Sequence, residues 1–168
     1  SMTGTAMEVI AWLSTQKDGF VYDCDYHKEK RSLNQNAFYH MIKDLIAKSM
    51  KVPPCYVHNL LLRRCEVYEV LDGKVVCISL PDTDETEHWV EYNELYHYKP
   101  TLNTFENSSG TKWRWYKVLK GSKEYTAEEM SRLIDIALDE LDHMGLSLPN
   151  DAATMKAYEE HMKGKRNG

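Results

Sequence analysis

Apolar residues recur at helical spacing in two long segments. Between Ser32 and Met50, Phe38, Met41, Ile42, Leu45 and Ile46 fall on one face, which predicts an amphipathic helix. Ser32 stands where it can cap this helix, and Gln35, three residues on, completes a capping box. Asp44 and Lys48 add an i,i+4 pair on the polar face. Val52-Pro53-Pro54 ends the segment, because a residue before proline avoids the helical region. From Thr126, with Glu129 as the second half of another capping box, Met130, Leu133, Ile134, Ala137, Leu138 and Leu141 repeat the pattern. Gly145 is placed to close that helix as a left-handed residue. A shorter helix is predicted from Pro54 to about Arg64, with proline in its first turn and Val57, Leu60 and Leu61 on its apolar face. Asn150 or Asp151 caps a final helix with Met155, Tyr158 and Met162 as its apolar stripe, followed by a mobile basic tail over 164–168.

Other stretches alternate. Gly19 to Tyr26 and Thr111 to Lys120 are rich in aromatic and β-branched residues and read as strands, the first followed by a basic turn over Lys28 to Arg31. Glu66 to Leu71 and Lys74 to Leu80 flank Asp72-Gly73. An Asp-Gly pair between two such runs predicts a hairpin, because a type I′ turn needs positive φ at both central residues. Pro81 to Gly110 lacks a sustained period and reads as a long irregular excursion, with a helical turn at Trp89 to Tyr92. The fold class that follows is α+β. A small mixed sheet with an Asp-Gly hairpin is packed by two long amphipathic helices and shorter ones. Residues 1–18 form an N-terminal segment in which Ser1-Met2 reads as a tag scar, and 19–163 form one domain.

Composition narrows the class. A chain of 168 residues that is 42% hydrophobic and 28% charged is long enough to fold without a disulfide or metal. Cys24, Cys55, Cys65 and Cys77 form no CxxC pair and read as reduced, mostly buried thiols. Neither a signal peptide nor a membrane-length apolar run appears, so a cytoplasmic place is expected. Net charge is −5, which argues against a generic DNA coat, but the charges are segregated. Lys112, Arg114, Lys117, Lys120 and Lys123 lie in a stretch without acids, whereas Asp82 to Glu94 holds six acids and no Lys or Arg. Such segregation can create a basic stripe on an acidic protein.

Motifs for catalysis are absent: there is no nucleophile elbow, Walker loop, HExxH or dinucleotide fingerprint. No metal or cofactor is expected. Glu87, His88, Glu91 and His97 are the nearest approach to a metal cluster and define an alternative, a metal-dependent nuclease. His58-Asn59 does not make an HNH-type site, which pairs a helical histidine with one on a preceding strand. A third alternative is a protein-interaction module that inhibits a host factor, its acidic segment mimicking nucleic acid. The strand over 111–120 offers a different chemistry. Alternation puts Lys112, Arg114, Tyr116 and Lys120 on one face and Trp113, Trp115, Lys117 and Leu119 on the other. Cations for phosphates beside aromatics for bases are what single-strand binders use, and tryptophans two residues apart also suit a core.

The segment Lys30-Arg31-Ser32-Leu33-Asn34-Gln35-Asn36, after a strand and basic turn and opening a helix, resembles the NinB family of phage recombination proteins. That family carries a similar R-S-L-x-Q-N signature at the same junction. Tyr125 to Pro149 also looks like the family's closing helix and the turn after it. Glu66 to Thr111 has no counterpart in the resemblance. The likeness implies a small α+β domain that forms a homodimer, prefers single-stranded DNA and works in the cytoplasm of a bacterial host cell. It further implies a non-enzymatic mediator role, helping a recombinase or annealing protein load onto strands coated with single-strand-binding protein. Ser32 and Gln35 are explained by capping. Lys30 and Arg31 could add charge to a helix N-terminus already suited to phosphate, and Asn36 could serve either purpose. The expected nucleic-acid-binding set is therefore Lys30, Arg31, Asn36, Lys112, Arg114, Trp115, Tyr116, Lys117, Lys120 and Lys123.

Overall fold

The structure, a computed structural model, describes residues 34–167, which belong to a unit spanning Arg31–Gly168. The strand expected over Gly19–Tyr26, the basic turn with Lys30 and Arg31, and the Ser32 cap lie outside the described residues.

Helix α1 spans Gln35–Met50, and its N-cap is Asn34, whose side chain accepts from the Ala37 N–H at 2.8 Å. The expected capping box is thereby corrected. With Asn34 as cap, Gln35 is the first helical residue, too early to reach back, and its amide donates instead to the Ala127 carbonyl at 3.3 Å. Lys51 ends the helix in a left-handed conformation, with the Val52 N–H reaching back to the Ala47 carbonyl at 3.1 Å. Helix α2 spans Pro54–Cys65 with proline in its first turn, as its sequence predicts, and Glu66 closes it at positive φ.

The hairpin is present. Strands β1 (Val70–Leu71) and β2 (Lys74–Val75) pair antiparallel across Asp72 and Gly73, both at positive φ. Its arms are shorter than predicted because, past the bond from the Val76 N–H to the Glu69 carbonyl at 2.9 Å, the two arms no longer pair with each other. From there the chain enters strand β3 (Cys77–Pro81), which pairs with β5 (Lys112–Leu119). Strand β4 (His97–Glu106) pairs with the other side of β5, so the order is β3-β5-β4. Both sheets are antiparallel throughout, which corrects the expected mixed sheet: β4 and β5 are joined by a short turn, and such a connection makes antiparallel neighbours. The Val118 N–H donates to the Val76 carbonyl while the Val118 carbonyl accepts from Glu69, which ties the two sheets together.

Pro81 to Gly110 is far more ordered than its pattern suggests. Thr83 caps helix α3 (Asp84–Tyr92), and Asp84, Glu85 and Glu87 in the first turn complement the helix dipole. The ten-residue β4 follows. It tolerates Pro100 because it is an edge strand, and its register shifts between Pro100 and Thr104. Asn107 holds the turn into β5 by accepting from the N–H groups of Ser109 and Thr111.

Helix α4 (Ala127–His143) carries the buried face the sequence predicts, with Met130, Leu133, Ile134, Ala137 and Leu141 inside and Leu138 half-buried. Thr126 accepts from the Glu129 N–H, and Gly145 closes the helix at positive φ. Helix α5 (Ala152–Arg166) is capped by Asp151. Its buried residues are Thr154, Ala157 and His161, which corrects the expected Met155–Tyr158–Met162 stripe: Met155 is exposed, and Tyr158 and Met162 only half-buried. The basic residues expected as a mobile tail continue this helix to Arg166.

The core lies where α1, α2 and α4 pack together, with α5 against α1 and Leu119 of β5 inserted. The cysteines correct another expectation: among the described three, Cys65 is buried, Cys55 half-buried and Cys77 exposed. No helix among the described residues is long and apolar enough to cross a membrane.

Candidate functional site

Strand β5 is the central strand of its sheet, so its two faces meet different surroundings. Even positions face a cleft beside α3. There each nitrogen of the Arg114 guanidinium is engaged: Nε and one terminal nitrogen donate to the Asp82 carboxylate at 2.9 and 3.3 Å, and the other donates to the Thr101 carbonyl at 2.7 Å. Lys112 reaches the same carboxylate at 3.3 Å. The hydrogen bond from Arg114 holds Asp82 below the usual carboxylate range. Tyr116, on this face, is only 4% exposed. The acid-free run in the sequence is thus not acid-free in space, because the first acid of the 82–94 segment folds against its first two cations.

Odd positions form a different surface. Trp115 is 40% exposed and Phe105, across on β4, 38% exposed. Their ring centroids lie 5.6 Å apart, and Phe105 stacks on Trp113 at 6.5 Å with planes 17° apart. Trp113 is half-buried. Lys117 follows at the next odd position, its ammonium 5.1 Å above the Tyr68 ring. Trp115 is therefore a surface residue, which the sequence left open between surface and core. The strand's far end is covered on both faces, since Leu119 is buried as well as Tyr116.

Lys120 is half-buried and Lys123 exposed, and neither makes an ion pair with another described residue. Lys123 and Asn36, distant in sequence, line one depression where the N-termini of α1 and α4 converge. Lys30 and Arg31, which the sequence places near the start of α1, lie outside the described residues.

A second feature was not assembled from the sequence. His40 of α1, His58 of α2 and His97 at the start of β4 line a cavity of about 620 Å³ that also takes in Lys43 and Lys123. The His58 ring lies 6.1 Å from His40 and meets His97 edge-to-face at 5.2 Å. Hydrogen bonds fix two tautomers. The Asn59 amide nitrogen donates to the carbonyls of Glu91 and Asn93, so its oxygen accepts from His97 Nδ1 at 2.6 Å and leaves Nε2 bare. Lys43 donates to His40 Nδ1 at 3.1 Å, so the neutral His40 ring carries its proton on Nε2. His58 Nδ1 lies 2.7 Å from the Tyr39 hydroxyl. Burial and the neighbouring His97 and Lys43 push the His58 imidazole down to about 3. Burial lowers His97, and burial together with Lys43 lowers His40. The nearest sequence signal was the His58-Asn59 pair, whose two residues each anchor part of this arrangement.

The nuclease alternative fares differently. His97 bonds to Asn59, the His88 ring packs at a 30° tilt against Tyr92 with centroids 4.4 Å apart, and Glu87 lines the Arg114 cleft. No three His, Cys, Asp or Glu side chains among the described residues come together as a metal-holding group. Compared with known proteins, the chain matches no family model, and no curated protein or solved structure is significantly similar to it.

Proposed function

We propose that this protein is a non-enzymatic single-stranded DNA-binding accessory of phage recombination, acting as a mediator in the manner the NinB-like segments imply. The observation that carries the reading is the aromatic face of β4 and β5. Exposed Trp115 and Phe105 adjoin Trp113, and Lys117 follows on the same face. Every base presents a π-face, so such a platform accepts a strand without regard to sequence, and cations beside it take the backbone. Arg114 has a structural part in this reading, since its charge is paired with Asp82 and each of its nitrogens already donates within the fold. Lys117 supplies the charge on this face, and Lys120 and Lys123 follow beyond the end of the strand.

Binding of a labelled single strand, measured across a salt series, tests the reading. Trp115→Ala should weaken binding by about 1–3 kcal/mol and leave the salt dependence alone. Lys117→Gln should flatten the log–log slope by about 0.7, the value for one phosphate neutralised. A parent protein that binds no strand at low salt, or a Trp115→Ala/Phe105→Ala variant that binds as well as the parent, would end it.

A further inference from the structure

The cleft beside α3 lies on the face of β5 opposite the aromatic one and encloses about 440 Å³, within the range of small-molecule sites. Arg114 and Asp82 in its wall are paired with each other, but three other polar groups there are left over. Arg63 of α2 is half-buried. Its Nε donates to the Tyr98 carbonyl at 2.9 Å, while its terminal nitrogens have no hydrogen-bond partner and its charge no ion pair among the described residues. A half-buried charge without a counter-ion is costly, and burial pulls this guanidinium below its ordinary pKa. The groups that oppose the shift, Glu91, Tyr116 and Glu87 first, belong to α3 and the cleft, so the head of Arg63 is turned that way. Tyr116 is 4% exposed. Its hydroxyl has no hydrogen-bond partner among the described residues, yet it is not sealed in. The charges it senses are Arg114, Asp82, Glu87 and Arg63, all four in the walls of the cleft, so the hydroxyl opens into it. Glu87, in the first turn of α3, has no cation within ion-pair distance among the described residues.

The three groups call for complementary chemistry. Arg63 and Tyr116 both donate, and together they suit a carboxylate. Glu87 accepts and suits an ammonium. A bare anion would meet Glu87 and its neighbour Asp84, and a bare cation would meet Arg63, so a ligand with one charge of each sign is the match. Val90 and Leu102 add apolar surface to the same wall. We infer that this cleft binds a small zwitterion of the α-amino-acid class, its carboxylate on Arg63 and Tyr116 and its ammonium on Glu87. The site stands apart from the strand reading, since it shares no residue with the aromatic face.

Isothermal titration with L-leucine tests the inference, with N-acetyl-leucine and leucinamide as controls that each lack one charge. Leucine should bind saturably, and each control at least about tenfold more weakly, the loss of one charged hydrogen bond. Amide NMR shifts locate the site: those of Asp84 to Val90 and Arg114 to Tyr116 should move, and those of α5 should stay. Glu87→Gln, on the exposed side of α3 and outside the core, should weaken leucine about tenfold and bind N-acetyl-leucine no worse than the parent does. Tyr116→Phe, which keeps the ring and loses the hydroxyl, should weaken leucine and N-acetyl-leucine alike, and if it does not fold Glu87→Gln decides. Leucine that fails to bind, controls that bind as tightly as leucine, shifts confined to other surfaces, or a Glu87→Gln variant that cannot be told from the parent overturns the inference.

Discussion

His58 shows at the scale of one residue how burial turns a side chain into a pH-dependent part of the fold. Its folded pKa of about 3 lies below the ordinary histidine value of about 6.5. The folded state therefore favours the neutral ring. That contribution is complete above the unfolded pKa and is lost as pH falls from about 6.5 toward 3, at up to about 1.4 kcal/mol per pH unit for one proton. His97 and His40 shift in the same direction, so the loss is steeper than one residue gives. Urea midpoints compared at neutral and mildly acidic pH should show it. His58→Gln, which keeps a partner for Tyr39, should remove about one proton's worth of the slope, and an unchanged slope would rule His58 out as the source. Arg114 makes the complementary point. Its donors go to Asp82 and Thr101, so Arg114→Ala should lower the melting temperature while the salt slope of strand binding stays as it was. From sequence alone Arg114 and Lys120 are equivalent cations on one face. What separates them is a carboxylate from another element, which alternation along a single strand cannot report.

Among the elements, legibility followed the strength of the local period. Helix α4 was readable to its caps because its apolar face, Thr126 and Gly145 all agree. Leu133, fully buried on that face, should cost about 2–5 kcal/mol when cut to Ala, and half-buried Leu45 of α1 less. Thermal or urea unfolding of the two variants checks the order. Strand β4 was hidden because Pro100 and Asn103 are poor strand residues, and only its edge position and register shift make them acceptable. The histidine cavity was hidden for a related reason: its residues come from two helices and a strand whose existence the sequence did not announce. Helix ends hold a further test. Lys51 and Glu66 close α1 and α2 in the left-handed region, where an L side chain costs roughly 1–2 kcal/mol. Glycine removes that strain but loses more chain entropy, about 0.5–1 kcal/mol. Lys51→Gly should therefore stabilise by about 0.5–1 kcal/mol in urea unfolding. Glu66→Gly should gain less, because it gives up the ion pair with Lys99.

Across the whole molecule, the described residues divide their work between two regions. A helical core of α1, α2 and α4 carries the buried apolar surface, and a three-stranded sheet presents exposed aromatics. The proposed likeness to the NinB family carries a homodimer with it, one that would have to leave Trp115 and Phe105 open for the strand. Sedimentation at several concentrations should show a dimer, and a mass that stays monomeric throughout would count against the resemblance. The order of strands has a consequence for how the chain is made. Strand β5 is the last strand to be synthesised and the central one of its sheet, with β3 and β4 on either side. Until the ribosome has released Leu119, β3 and β4 lack the one strand they pair with among the described residues and expose unpaired backbone to every neighbouring nascent chain. A pause between Glu106 and Lys112 would therefore leave two sticky strands without the one that joins them, and Lys112 to Leu119 close that sheet.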